Sequence, residues 1–276
     1  MKAAAFDYFA APDLSAAVRA LAEAGGEAKA LAGGQSIGPM LNLRLVRPRL
    51  IVDISRLAAL RTLQPSADGV RIGAAVTHAE IEDAASRLRA APMLATVAGG
   101  VAYRAVRNRG TIGGSLAHAD PAADWPLALS TLGARVLITG PRGTRDVAAD
   151  AFMTAAFTTV LSDDELIEAI DVPACSPLAR WGYFKLCRKT GEFPEASAAA
   201  LFDPQRRVAR LFVGALNGPP QPLESLARGL AQQGLTALTQ AAVDRAVGAA
   251  APGLDAVERK IHVAAVQRAV RQALLP

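Results

Sequence analysis

Two glycine-rich segments, Ala32-Gly33-Gly34-Gln35-Ser36 and Thr111-Ile112-Gly113-Gly114-Ser115, constrain this chain more than any other feature. Each lies where a strand pattern gives way to a helix or a turn. Paired glycines at such a place leave backbone N–H groups pointing outward, and such groups wrap a phosphate oxygen. Two segments of similar chemistry, far apart in sequence, fit a ligand with two linked phosphates held from both sides. Gln35, Ser36, Thr111 and Ser115 add amide and hydroxyl groups that hydrogen-bond the same oxygens. The commoner phosphate signatures, GxxxxGK(S/T) and GxGxxG, are absent.

The 276 residues suffice for two or three modest domains, and an apolar share of 51% excludes a disordered chain. No apolar run approaches the roughly 18–20 residues that cross a bilayer. The N-terminal stretch from Met1 to Tyr8 meets charge at once and does not read as a signal peptide, so a cytoplasmic location is expected. The net charge of +5 comes mostly from dispersed arginines, the tightest group being Arg104, Arg107 and Arg109, with Arg142 and Arg145 a second pair. Nucleic-acid binders interleave such clusters with aromatics, which are scarce here. Cys175 and Cys187 form no CxxC, and His78, His118 and His262 are scattered. An ordinary iron–sulfur cluster needs four thiolates, so this chain cannot build one alone, and no zinc set is expected either. Both cysteines read as reduced packing residues.

Leu14, Val18 and Leu21 predict a first helix, capped near Asp13 and ended by Gly25-Gly26. Ala28 to Leu31 reads as a short strand entering the first glycine segment, Ile37 to Leu43 as a helical turn, and Leu50 to Ile54 as a strand. Val70, Ile72, Ala74 and Val76 alternate as a strand does. Thr77-His78-Ala79-Glu80 fits a capping box and places His78 exposed in a first helical turn. A helix is expected around residues 92–101, a hairpin from Arg135 through Gly140-Pro141-Arg142-Gly143 to Val147, and a strand from Glu165 to Val172. Further strands follow around Tyr183 to Cys187, Ala196 to Phe202 and Val208 to Leu216. A helical tail then carries Val263, Val266, Val270 and Leu274 on one face. Asp120-Pro121 reads as a turn starter, and Asp124 as an acceptor for sugar hydroxyls.

Ala32 to Ser36, Arg107-Asn108-Arg109-Gly110-Thr111-Ile112-Gly113-Gly114-Ser115 and Ala119-Asp120-Pro121-Ala122-Ala123-Asp124 together closely resemble the FAD-binding medium subunit of molybdenum hydroxylases. That group includes the medium subunit of aerobic carbon monoxide dehydrogenase and the flavin domain of xanthine dehydrogenase. The resemblance covers the whole chain. It implies an α+β protein with a two-subdomain FAD-binding fold of the PCMH/vanillyl-alcohol-oxidase type and a C-terminal domain of a three-stranded sheet and helices. The implied boundaries are 1–56, 57–175 and 176–276. Leu31, Ala32, Gly33, Gly34, Gln35, Ser36 and Ile37 would hold the FAD diphosphate from one side, and Thr111, Ile112, Gly113, Gly114 and Ser115 from the other. Asp124 matches the family's aspartate after the second segment. Lys185 matches a basic residue near the flavin ring, where a cation favours negative charge at the N1/O2 edge of reduced flavin. Ile167 falls in the strand that passes the cofactor, and Phe193 matches a position beside the isoalloxazine in some relatives. Many relatives carry Asn at the position of Ser115, whose shorter side chain implies a weaker or water-mediated contact.

The same resemblance implies a division of labour. A large subunit with a molybdenum cofactor hydroxylates the substrate, and a small subunit with two 2Fe–2S clusters carries electrons onward. This chain would take them into FAD and release them to NAD, oxygen or a quinone-linked carrier, within a dimer of heterotrimers. No residue here need act as acid or base on the organic substrate, and none need ligate a metal. Two other readings are a free-standing FAD oxidase with its own substrate and a non-catalytic nucleotide-binding module. Neither glycine segment holds a His or Cys for a covalent flavin link.

Overall fold

The computed structural model of the chain describes residues 2–275. A parallel three-stranded sheet comes first, built from β1 (Asp7–Ala10), α1 (Leu14–Glu23), β2 (Ala28–Leu31), α2 (Ile37–Asn42) and β3 (Leu50–Asp53), in the order β1-β3-β2. α1 starts where Asp13 accepts the Ala16 amide at 2.7 Å. It stops where Gly25 and Gly26 take φ of 56° and 90°, the left-handed region that suits glycine. Val18 and Leu21 pack on Val52 and Ile54. β1 has no counterpart in the sequence reading. It is an edge strand with mostly exposed side chains, so it lacks a buried alternation to betray it.

The next stretch contains β4 (Leu63–Pro65), β5 (Gly69–Gly73), α3 (His78–Asp83), α4 (Met93–Gly100), α5 (Arg104–Arg107), α6 (Ile112–His118) and α7 (Asp124–Leu132). After these come β6 (Arg135–Gly140), β7 (Gly143–Ala148), α8 (Ala149–Phe152), β8 (Met153–Ala155), β9 (Thr158–Thr159) and β10 (Leu166–Pro173). Five of the strands form an antiparallel sheet in the order β4-β5-β10-β6-β7. Met93, Leu94 and Val97 of α4 and Leu129 of α7 pack over Val136, Ile138 and Ile170 of that sheet. Every residue of α7 is buried. Its Ser130 and Thr131 tolerate this by donating to the carbonyls of Pro126 and Leu127 at 2.6 and 2.9 Å.

The last stretch comprises β11 (Arg180–Leu186), β12 (Ala196–Asp203), β13 (Val208–Gly214), β14 (Gln221–Pro222), α9 (Glu224–Gln233), α10 (Gln240–Ala250) and α11 (Ala256–Leu274). The three long strands of the expected sheet are joined by β14, a two-residue fourth strand at its edge. β12 is buried at all positions because it lies between two cores. Ala196, Ala198, Ala200 and Phe202 face the C-terminal helices, while Ala199 and Leu201 face the other way, Ala199 packing with Leu127 of α7. Alanines there let α11 approach closely, and a Cβ on Gly182 of β11 would stand 2.0 Å from the Ala269 carbonyl. No helix among the described residues is long and apolar enough to cross a membrane.

Candidate functional site

β2 and β3 are parallel, and the segments leaving their C-terminal ends lie side by side, where open parallel sheets commonly receive ligands. The first glycine segment leaves β2. Gly34 has φ of 76°, which a side chain would oppose. Gly33 meets a tighter limit: a Cβ there would lie 2.0 Å from the Arg109 carbonyl and 2.9 Å from the Gly110 Cα. The first segment therefore touches, backbone against backbone, the Arg109-Gly110 turn that leads into the second. No acceptor among the described residues takes the amides of Gly33, Gly34, Gln35 or Ser36, and Ser36 makes no side-chain cap to α2. Four successive N–H groups are left to meet an outside anion or water.

The second segment departs from expectation. It is the first turn of α6, and its amides are engaged within the protein. Thr111 is the N-cap and accepts the Gly114 amide at 3.1 Å. The Ile112, Gly113 and Ser115 amides go to the carbonyls of Val76, Ala74 and Thr111 at 3.1, 3.0 and 3.0 Å. Gly113 is required for packing, since its Cβ would stand 2.5 Å from that of Ala74. Gly114 is exposed, and a Cβ there would meet nothing within 4 Å except Thr111 Oγ1, at 2.8 Å. Ser115 is half-buried.

A cavity of about 160 Å³ opens where the segments meet. Ala32 and Gly33 line it from one side and Asn108, Arg109 and Thr111 from the other, with Ser55, Arg56, Arg61, Ala75 and Thr77 completing the wall. No carboxylate is among the lining residues. Arg61 is paired with Glu80 at 2.7 Å, whereas Arg109, among the described residues, reaches only the Gly33 carbonyl, at 3.5 Å. This chemistry fits a phosphate-bearing cofactor: Arg56 and Arg109 as cations and the unaccepted Gly33 amide, with the one adjoining carboxylate, Glu80, held by Arg61 and Thr77. Arg56 and Arg61 escaped the sequence reading because they belong to no motif. The signal available was their place just after β3, beside the segment that follows β2. Arg104 and Arg107 are not free cations, being tied to Glu82 and Asp83.

His78 corrects a second expectation. The capping box is present, but the imidazole is only 5% exposed. Trp125 donates its indole N–H to His78 Nδ1 at 3.1 Å, which turns the ring inward. Burial, and then the Arg107 charge, pull its pKa from 6.5 to about 4. The neutral ring backs the second segment, and the His78 amide donates to the Gly110 carbonyl at 2.9 Å.

Asp124 and Lys185, each expected to face a ligand, face each other. The ammonium donates to the Asp124 carboxylate at 2.9 and 3.2 Å and to the Gly100 carbonyl at 2.8 Å. Tyr183, which the sequence reading did not single out, donates its hydroxyl to Asp124 Oδ1 at 2.5 Å. Burial, and then the Asp124 charge, push the phenol well above its ordinary pKa, so it stays a donor. Ile167 points into the sheet core beside a bulge in β10. Phe193 is 66% exposed, on the loop between β11 and β12. Gly191 of the same loop lies against Ala102, close to the end of α4. Asp120 behaves as a turn starter, accepting the Ala122 amide at 2.9 Å.

A family described as the FAD binding domain in molybdopterin dehydrogenase matches residues 4–175. The carbon monoxide dehydrogenase medium chain of Hydrogenophaga pseudoflava is 34% identical over 254 residues, covering 91% of this chain and 88% of its own. The 6-hydroxypseudooxynicotine dehydrogenase complex subunit alpha of Paenarthrobacter nicotinovorans is 36% identical over 220 residues, 79% of this chain and 74% of that one. Among solved structures, a carbon monoxide dehydrogenase from Hydrogenophaga pseudoflava superimposes with a TM-score of 0.92 at 32% identity, covering 99% of this chain and 98% of that one. Quinoline 2-oxidoreductase from Pseudomonas putida 86 gives 0.88 at 32% identity over the same shares.

Proposed function

This chain belongs to the FAD-binding family of molybdopterin dehydrogenases and is an FAD-binding subunit of an oxidoreductase, and from that premise we propose that it is an electron-transfer subunit. It would receive electrons from 2Fe–2S clusters in a small partner subunit, which obtains them from a large molybdenum subunit. It would then deliver them to an external acceptor (NAD, oxygen or a quinone-linked carrier), the whole forming a dimer of heterotrimers. Bound FAD supplies the redox chemistry, accepting electrons singly and releasing them in pairs.

The residues of this chain bind and tune. The observation that carries the reading is the contact of Gly33 with the Arg109-Gly110 turn before the second segment, with a run of four unaccepted amides that enters the arginine-lined cavity at Gly33. We assign Leu31 to Ile37 to the diphosphate, through the amides of Gly33, Gly34, Gln35 and Ser36 and the Ser36 hydroxyl, with Arg56 and Arg109 adding charge. Thr111, Ile112, Gly113, Gly114 and Ser115 form the opposite wall. That wall contributes the bare Gly114 surface and the Ser115 hydroxyl in place of amides. We place Lys185 at the ring edge, where its charge would favour electron density on the flavin, with the main chain of Ile167, whose side chain is in the sheet core, and Phe193 beside the ring. Relatives whose names mark them as a medium chain or a complex subunit support a multi-chain assembly. Purification of the tagged chain from its own cells is the test. It should elute yellow, with two further chains, iron and molybdenum. A yellow chain that elutes alone and oxidises an organic substrate unaided supports the free-standing oxidase instead.

A further inference from the structure

The helix α2 ends in a way its residues do not favour. The Arg44 amide donates to the Leu41 carbonyl at 3.0 Å and the Leu45 amide to the Met40 carbonyl at 2.9 Å. This paired closure usually has glycine at its left-handed position. Here that position is Arg44, with φ of 58°, so the turn is held against a local preference. The apolar residue after such a turn commonly packs back on the helix. Leu45 is instead 70% exposed, and Leu43, on the other side of Arg44, is 52% exposed. Arg44 Nε donates to the Lys2 carbonyl at 3.1 Å, which fastens the chain before β1 to the end of α2. An open groove of about 850 Å³ lies there, lined by Lys2, Phe6, Asn42, Arg44 and Arg47 together with Ala3 to Ala5. No carboxylate lines it, and among the described residues none of its three cations is in an ion pair. The nearby Arg49, by contrast, is paired with Glu27 at 3.2 Å. The lining residues precede β1 and β3, so the groove opens at the N-terminal ends of the parallel strands, the opposite end from the glycine segments.

Exposed apolar side chains rimmed by charge mark contact surfaces, and a strained turn persists where its surroundings depend on it. Resting on the multi-chain reading above, we propose that this groove docks a partner subunit of the complex. The facing surface of that subunit seats Leu43 and Leu45 in an apolar patch rimmed by carboxylates. Charge decides between occupants. A second copy related by a two-fold axis would set Lys2, Arg44 and Arg47 against the same cations, which repel. A carboxylate-rimmed surface pairs all three. A flat anionic bilayer answers the charges but leaves a concave groove unfilled. Because the groove lies away from the glycine segments, the contact holds the assembly together without touching the cofactor.

The complex purified through a tag on this chain, from cells in which the tagged chain is the sole copy, provides the test. The wild type is the control: a chain that elutes without iron and molybdenum overturns the multi-chain reading itself and this inference with it. Leu45→Ser and Arg47→Glu change exposed side chains, so each should keep the wild-type Tm and flavin per chain. Each should raise the dissociation constant for the partner by about tenfold or more, read as iron, molybdenum or both lost per chain on dilution. Added salt should weaken the wild-type complex more than the Arg47→Glu complex. If either variant fails to fold, the other carries the test. Folded, flavin-loaded variants that keep iron and molybdenum on dilution as the wild type does overturn the inference. Loss of the larger assembly with both metals retained per chain assigns the groove to a second copy and overturns it too. So does binding of the wild-type complex to vesicles of phosphatidylcholine and phosphatidylglycerol that both variants abolish while keeping their metals, which assigns the groove to a membrane surface.

Discussion

Gly33 and His78 show how single residues hold this site, and both lead to measurable outcomes. The Gly33 hydrogen fills the space where a methyl group would stand 2.0 Å from the Arg109 carbonyl. Gly33→Ala must push the two segments apart, at a cost of about 1–3 kcal/mol for overpacking. The expected outcome is a folded chain of lower Tm that loses FAD on gel filtration. An unchanged flavin-to-protein ratio contradicts the assignment. His78 makes stability depend on pH. Its pKa is about 4 in the folded chain and 6.5 in the unfolded one. Between those values the unfolded chain binds the proton and the native chain does not, so stability falls as pH drops through that window. The loss approaches about 3 kcal/mol near pH 4. His78→Asn, which keeps an acceptor for the Trp125 indole, should remove this part of the pH dependence in urea unfolding. Identical slopes for the two proteins from pH 6.5 to 4 would refute it. Sequence alone showed that Gly33 mattered but not why, since the clash partner is Arg109. It misplaced His78 because a helix-cap pattern reports backbone position, whereas burial here is decided by Trp125, far along the chain.

Elements carry a different lesson. The helix α6 was legible as a glycine-rich segment but not as a helix, because paired glycines lower helix propensity and suggest a loop. What forms the helix is Thr111 as cap and the closeness of Ala74, to which Gly113 donates its amide. Its two glycines therefore have separable roles. Gly113→Ala would drive a methyl group into the Ala74 Cβ, at 2.5 Å, and should lower Tm. Gly114→Val should keep the fold, at a cost of about 1 kcal/mol for displacing the Thr111 cap that its Cβ would approach to 2.8 Å, and release FAD, because it adds bulk to the face assigned to the diphosphate. Circular dichroism and flavin content, measured together on both variants, check the contrast. Stoichiometric FAD in Gly114→Val removes the second segment from the site. Where apolar periodicity was strong, as in α1, β10 and α11, the elements appear where the residues predicted; the alternation over Val70 to Val76 forms a strand only as far as Gly73, beyond which Ala74 and Val76 lie in a turn. The edge strand β1 and the two-residue β14 could not be read, since neither buries an alternating face.

At the scale of the whole molecule, the site is assembled from parts that no local pattern links. β12 joins two cores through alternating small residues, and this lets β11 deliver Lys185 and Tyr183 to the ends of α4 and α7. The indole of Trp125 ties α7 to His78, whose backbone amide in turn holds Gly110. The family resemblance pointed to Asp124 and Lys185 separately; their pairing is a product of tertiary packing and was not legible. The central claim is that unaccepted amides and arginines at the junction of the glycine segments recognise a diphosphate. It is tested most directly by titrating the flavin-free chain with FAD and with riboflavin, which has the same ring but no phosphate. Two lost charge-assisted hydrogen bonds already correspond to about 3–6 kcal/mol, so FAD should bind at least about 100-fold more tightly. Equal affinity for the two would contradict the account.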